Sequence, residues 1–540
     1  MITDVFFTNG AVEVGISLCS LKVSSIGCTK LNKKNNFFQF FLSKDFWLCV
    51  LSAVLLIFAF PKIDLGILGW IGLVPLMLAL EGKNSRQAFG LSYLCGIIFF
   101  TGTLYWFVYV DILVALIGAP LLILYLSLFF GLFGLIYSYF NRTPLFLKFV
   151  ALPSAWVVLE WIRANFLTGF GWASLAHSQY KNLYFIQIAD LTGIFGISFL
   201  MILVNLLGKE LILCLKKESI FSFKQWLSNL FFPVLVILIV VLGYGVWRFS
   251  SLPNNLSQVK AAVIQGNILQ GRKWLPSEWP TIMEEYIFLT KEAAKGNPQM
   301  IIWPETAFPG ILWEDDAYLD KLKELTIQLQ IPLVFGSVIN EDEAYYNSAL
   351  LISKQGEVAE RYDKMHLVAF GEYVPLRSLL PFLSNVVPIG DFTAGEEFTI
   401  FPAPASFSVL ICFEDTVSHL SREFVRRGAK ILVNITNDAW FEDTKEPFLH
   451  LQSAVFRSVE NRRTLIRAAN TGVSSFIDPL GRIVKTVERQ GKKTYVSGYA
   501  IASMPLNNTL TFYTRFGDVF VYLCMVIVLC GVLLKRWKIL

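Results

Sequence analysis

Over the first half of the chain, long apolar runs alternate with short polar segments, and the pattern changes near residue 251. A bilayer-crossing helix needs about 20 largely apolar residues. Segments of that kind lie near 46–60, 64–80, 87–109, 112–139, 145–162, 185–207 and 230–248, with an eighth at 517–534. The first two are short and joined by Pro61-Lys62-Ile63-Asp64, which predicts a tight hairpin. From 251 to 512 the apolar runs shrink to strand length. Val259–Gln265, Met300–Pro304, Leu333–Ser337, Ala349–Ser353, Phe407–Cys412 and Ile431–Thr436 are apolar almost throughout, as strands buried on both faces are. Helical patterns cover Ser277–Lys295, Ala317–Gln330, His419–Arg427 and Phe448–Arg463. Gly356 and Gly481 mark hairpin turns at Ser353–Glu357 and Asp478–Arg482. This predicts a multi-spanning helical membrane domain of about eight helices joined to a layered α/β domain.

Composition sharpens that division. Hydrophobic residues make up 55% of the 540 and charged residues 16%, where a soluble domain carries about a quarter charged. The net charge of +5 is spread between apolar spans, with no basic stripe interleaved with aromatics, which excludes a nucleic-acid surface. With the N-terminus inside, alternate segments hold 16 Lys and Arg on the cytoplasmic side against four on the other. That asymmetry orients the chain. Residues 1–45 then form a cytoplasmic leader, 46–250 a membrane domain of seven helices, 251–512 a domain outside the cytoplasm, and 517–534 a returning anchor. Asp4, Asn9 and Glu13 break the apolar stretches of the leader, so it does not read as a cleavable signal peptide.

Candidate chemistry is confined to 251–512. Only Cys412 of the eight cysteines lies there, which excludes a disulfide framework within that domain, and the four histidines (177, 366, 419, 450) form no cluster of metal-ligand spacing. No metal or cofactor is expected. Three strand ends carry reactive groups. Met300–Trp303 runs into Pro304-Glu305, a hairpin strand runs into Lys364, and Ser408–Ile411 delivers Cys412 before a turn. Open α/β sheets bind ligands at such ends. A thiolate attacks carbonyls, a carboxylate can take its proton, and an ammonium can stabilise the oxyanion. Taken singly each has an ordinary reading as well: a small buried hydrophobe, a surface turn and a solvated lysine.

The order Glu305, Lys364, Cys412 and the words around them resemble the carbon–nitrogen hydrolase (nitrilase) superfamily. More narrowly, Ala261–Trp274, Trp303-Pro304-Glu305, His366–Pro375 and Asn437–Phe441, together with Glu160–Arg163 and Gly169–Trp172, are similar to the apolipoprotein N-acyltransferase family. The resemblance covers nearly all of 46–534. It implies a nitrilase-like αββα sandwich facing the periplasm from a bacterial inner membrane. It further implies Glu305 as general base, Lys364 as oxyanion stabiliser and Cys412 as nucleophile, supported by Glu372, Glu414 and Phe413. Phe413 departs from the tyrosine usual in the family. Gln265, Asn267, Trp274, Asn437 and Trp440 become substrate-binding positions, with Trp274 on a mobile arm. The implied partners are a phospholipid acyl donor, a diacylglyceryl apolipoprotein acceptor and membrane lipid. The aromatic loops Phe166–Trp172 and Trp440-Phe441 are candidates for a lipid-facing floor, and equally for an interfacial aromatic belt.

Two other functions fit parts of the pattern. A membrane-tethered amidase would use the same three residues with water as acceptor. A ligand-binding receptor or transporter would need ionisable residues within several spans, and Asp111, Glu160 and Asp190 all fall near span ends.

Overall fold

The computed structural model describes residues 41–537, apart from 113, 142, 220–221, 254, 314–315, 370 and 374–390. The leader expected at 1–45 falls almost wholly outside the described residues. Six described helices are long and apolar enough to cross a bilayer: Ser85–Tyr109, Val114–Phe140, Leu145–Asn165, Phe195–Leu215, Phe223–Ser251 and Val519–Arg536. Local chemistry sets their starts. Asn84 and Gln87 close a reciprocal capping box at the first, and Pro120 lies in the first turn of Ala119–Phe140. The hairpin expected at 46–80 is shorter than full spans. It is the 16-residue helix Lys44–Ala59 followed by Gly66–Trp70 and Val74–Ala79. The span expected at 185–207 is displaced to Phe195–Leu215. Two one-turn helices, Leu183–Ile186 and Ala189–Thr192, precede it and end at Gly193 with φ 63°. Their polar residues explain the shift, because Gln187 and Asp190 turn toward the second domain and receive Arg462 there.

Among the described residues the second domain holds twelve strands: β1 (Gln258–Gln265), β2 (Met300–Ile302), β3 (Ile311–Leu312), β4 (Leu333–Glu341), β5 (Ala344–Ile352), β6 (Val358–Asp363), β7 (Phe407–Ile411), β8 (Ile431–Thr436), β9 (Thr464–Ala469), β10 (Ser475–Ile477), β11 (Ile483–Thr486) and β12 (Gly498–Pro505). They form two sheets, β12-β1-β2-β4-β5-β6 with β3 on β4, and β11-β10-β9-β8-β7. Strands β1, β2 and β4 run parallel, as do β7, β8 and β9. The period-2 geometry of a strand sorts its side chains between two cores. Met300 and Ile302 join the core that also holds Val409, Ile411, Ile431 and Val433 of the facing sheet. Ile301 and Trp303 point the other way, onto Met283, Tyr286 and Leu322 of the helices Trp279–Ala294 and Asp316–Leu329. Helices therefore cover the outside and the sheets meet inside, the expected αββα layering. Gly356 and Gly481, both at φ 83°, make the expected turns between β5 and β6 and between β10 and β11.

The helix Glu446–Asn461 lies between the second sheet and the membrane helices, with every residue but Phe448 buried. His177 of the membrane half packs its ring on Phe456 at 5.4 Å. The two halves share one continuous apolar core.

Candidate active site

Strand ends deliver the reactive groups to one place. Glu305 leaves β2, and the neighbouring strand must come close for it to do so. A Cβ at Gly336 on β4 would lie 2.6 Å from the Glu305 Cα, so only glycine fits there. One Glu305 carboxylate oxygen accepts from Asn347 Nδ2 (2.8 Å) and the other from the Asn437 main-chain N–H (2.8 Å). Lys364 leaves β6 with its Nζ 3.8 Å from Glu305 Oε1 and 2.8–2.9 Å from both oxygens of Glu372. Burial works against the lysine's charge, but nearby negative charge, that of Glu372 first, outweighs it and holds the ammonium above its ordinary value. Asn347 Nδ2 also donates to Glu372 Oε1 (2.8 Å), so one amide aligns both carboxylates.

Cys412 follows β7 directly at φ 53°, a left-handed conformation uncommon outside glycine. Burial, and then the Glu305 charge, push its thiol well above the ordinary value, while Lys364 pulls the other way. The sulfur therefore favours its protonated form at neutral pH, and any nucleophilic use of it would need a nearby carboxylate to take the proton. Phe413 sets its ring against the Trp172 edge at 5.0 Å and near His366 at 6.0 Å. Trp172 continues into Trp106 at 5.2 Å, and Trp106 into Phe441 at 4.8 Å. Trp106 thus bridges the two aromatic loops singled out in the sequence, and one of them, through Trp172, reaches the turn that carries the thiol. Gly171 allows this approach, since a Cβ there would be 2.9 Å from the Thr416 carbonyl.

The remaining expected residues divide. Glu414 is fully buried and accepts from the main chain of Ile411, Met365 and His366 and from the Tyr362 hydroxyl. It ties the Cys412 turn to the Lys364 loop, and burial raises its carboxyl to about 7 against those donors. Asn437 sits at the site through its bond to Glu305, with its side chain on Gln270 and Asn470. The Gln265 amide is engaged with the main chain of Lys493, Val496 and Ser474. Asn267 (φ 59°) and Trp274 each keep a buried polar atom without a hydrogen bond among the described residues. Trp440 is 38% exposed on the turn Asp438–Phe441.

Sequence reasoning passed over Asn347, Lys273 and His450. Buried Lys273 donates to the Glu305 carbonyl (3.1 Å), and burial lowers its ammonium to about 7 against Glu305. Lys273 adjoins Trp274 in a word already singled out, so its signal was present. Asp438, Glu446 and His450 present ligand atoms within 4.8 Å of one another. Arg467 pairs with Asp438, His450 Nδ1 lies 3.2 Å from Asp438 itself and Nε2 faces the Cys412 carbonyl, so the group reads as an ion-pair cluster.

A model of the apolipoprotein N-acyltransferase N-terminal domain matches residues 52–207, and a carbon-nitrogen hydrolase model matches 260–509. An apolipoprotein N-acyltransferase from Geobacter metallireducens is 37% identical over 501 residues, covering 89% of this chain and 93% of that protein. One from Chlorobaculum tepidum is 30% identical over 521 residues, covering 90% and 95%. Among solved structures, an amidase from Nesterenkonia sp. overlays 51% of this chain and 98% of its own at 19% identity and a TM-score of 0.37. Across both the membrane half and the catalytic half, this chain belongs to the apolipoprotein N-acyltransferase family.

Proposed function

We propose that Cys412 takes a fatty acyl chain from a phospholipid and passes it to the N-terminal amine of a diacylglyceryl-cysteine on an apolipoprotein. The observation that carries this reading is the convergence of Glu305, Lys364 and Cys412 over an aromatic floor continuous with the membrane helices. Glu305 removes the thiol proton as sulfur attacks the ester carbonyl, and Lys364 stabilises the resulting oxyanion. Collapse breaks the ester C–O bond, and the proton on Glu305 goes to the departing lysophospholipid oxygen. The acceptor amine then attacks the thioester, the C–S bond breaks, and the amine proton is returned to the site as the amide forms.

The membrane setting supports this choice of substrates. Extracting a long acyl chain into water would cost about 0.8 kcal/mol per exposed CH₂, and a site on the bilayer surface avoids most of that cost. The Lys and Arg asymmetry supports a catalytic domain on the periplasmic face of the inner membrane.

Intact-protein mass spectrometry tests the reading. Incubated with phospholipid alone, wild type should gain one fatty acyl mass that hydroxylamine removes, and Cys412→Ala should gain none. Glu305→Gln and Lys364→Ala should gain it slowly or not at all. A diacylated lipopeptide with a free N-terminus should discharge the adduct into triacylated product. Steady release of free fatty acid with no trapped adduct would make the protein a hydrolase instead.

A further inference from the structure

The left-handed turn at Cys412 directs its carbonyl oxygen into the domain, where two side chains approach it. Asn434 Nδ2 donates at 3.2 Å and His450 Nε2 lies at 3.0 Å. Both are held from behind. Asn434 Oδ1 accepts from Arg467, whose guanidinium also reaches Asp415 (3.1 Å) and Asp438 (3.2 Å). His450 Nε2 is 3.0 Å from Asp415 Oδ1, and Nδ1 is 3.2 Å from Asp438 Oδ1. The Trp172 ring stands edge-on to the imidazole at 5.5 Å.

These contacts determine the ring's charge. The oxygens nearest its two nitrogens, the Cys412 carbonyl and the Asp415 and Asp438 carboxylates, are acceptors, which places hydrogen on both nitrogens. The charges then balance, with Arg467 and His450 positive and Asp415 and Asp438 negative in a wholly buried cluster. Glu446 completes the surroundings from the same helix, its Oε1 3.5 Å from Nδ1, with neither oxygen hydrogen-bonded among the described residues. Burial, and then Asp438, favour its neutral form, which leaves the balance intact. Burial and Arg467 oppose the imidazolium, but Asp415 and Asp438 raise His450 to about 10.

We propose that His450 is a positioning residue for acyl transfer, an imidazolium that holds the Cys412 carbonyl and so keeps the thiol presented to Glu305 and Lys364. The proposal rests on Cys412 being the nucleophile. Nothing in the role requires His450 to touch substrate. It acts on the rate of attack by fixing the turn, and leaves lipid binding alone.

The test is the initial rate of acyl-adduct formation on the full-length protein in detergent, measured against the concentration of a defined phosphatidylethanolamine. His450→Ala should lower the maximal rate by about 100-fold, as small displacements of a reacting group do. Its half-saturating lipid concentration should stay within about twofold of wild type, the mark of an interaction used in the transition state. His450→Gln keeps an N–H within reach of the carbonyl but no charge, and should restore about tenfold over His450→Ala. If the alanine variant does not fold, the glutamine variant carries the test alone. It should then react about tenfold more slowly than wild type at unchanged half-saturation. A glutamine variant as fast as wild type overturns the proposal. So does a loss in either variant that lies in half-saturation rather than in maximal rate. Cys412→Ser separates the two readings. If wild type forms no thioester that Cys412→Ser lacks, the nucleophile assignment falls. If wild type reacts and the His450 variants match it, only this proposal falls.

Discussion

Two helices of this protein invert each other. Glu446–Asn461 is enclosed on all sides, yet its buried residues include Glu446, His450, Gln452, Arg457, Glu460 and Asn461. Val519–Arg536 buries only Val521, Cys524 and Gly531, and exposes Tyr522, Leu523, Val526, Leu529 and Leu533. The interior helix is polar and the surface helix is apolar. Hydropathy therefore reports which solvent a segment faces, lipid or water, and says little about how deep it lies. The energetics differ accordingly. Each buried polar group on the first helix depends on a partner, as Arg457 does on Glu460 at 2.9 Å, and losing a partner exposes its full desolvation cost. The second helix faces a medium as apolar as its own side chains, so its position is set at a few contacts. One is the bond from Trp161 Nε1 to Asp518 (2.9 Å), and another is Gly531 against Phe140.

The largest expected effect comes from breaking the polar interior. Arg467→Met leaves Asp415 and Asp438 buried without their shared cation, which costs about 3–5 kcal/mol. The melting temperature of the purified protein should fall on the order of 10 °C. An unchanged melting temperature would mean that the cluster does not depend on its charges.

The lipid-facing helix supplies the next test. Leu529, 62% exposed, lies near the middle of its helix. Replacing it with Arg should cost about 2.5–3.5 kcal/mol of insertion free energy, read as a loss of membrane-integrated protein. Leu529→Ala should cost far less, because no protein cavity opens there. A cost of about 2–5 kcal/mol for the alanine variant, the range of a packed core, would place Leu529 inside protein and undo the contrast.

A smaller effect follows from pH. His450 rises from 6.5 to about 10 on folding. A cationic group with a raised value contributes stability that is complete below its unfolded value and is lost as pH rises through its folded value. The stability advantage of wild type over His450→Gln should therefore be full below about pH 6.5, shrink progressively above it, and be lost as pH passes about 10. Melting curves of the two proteins across that range check this, and a gap independent of pH would show that His450 is neutral when folded.

The same contrast explains what could be read from the sequence. Glu305 and Cys412 stood out in the sequence because each follows an apolar run that stops abruptly, and the length of such runs is a sequence property; Lys364 stood out only as the residue after a polar hairpin strand. β9 was missed although it is wholly buried, because Arg467 interrupts its pattern and a charge in mid-strand reads as an exposed face. His450 was set aside for a related reason. Its meaning lies in Asp415, Asp438 and the Cys412 carbonyl, which reach it from other elements. Asn347 belongs to the same class, a residue inside a strand whose two acceptors lie 42 and 25 positions away. The spans at 87–109, 112–139, 145–162 and 517–534 were readable to within about three residues, while 46–80 falls short of spanning length and 185–207 shifts where Gln187 and Asp190 draw backbone toward the other domain.

Phe413 stands where the two kinds of interior meet, and its tyrosine variant gives the smallest predicted effect. Its ring is 8% exposed and touches the Trp172 edge on the membrane side and the His366 ring on the catalytic side. If the ring serves by packing, Phe413→Ala should be clearly harmful, since deleting a buried phenylalanine costs about 3–5 kcal/mol. Phe413→Tyr keeps the area and adds one hydroxyl. That hydroxyl would enter a region where the Trp172 Nε1–H is buried without a hydrogen bond among the described residues, so an acceptor there is not wasted. The tyrosine variant should form the acyl adduct within about twofold of wild type, well under the tenfold that 1.4 kcal/mol would produce. Equal rates for wild type and Phe413→Ala would remove the ring from the site. A tyrosine variant many times faster than wild type would show that a hydrogen bond, and not packing, is what this position contributes to the chemistry.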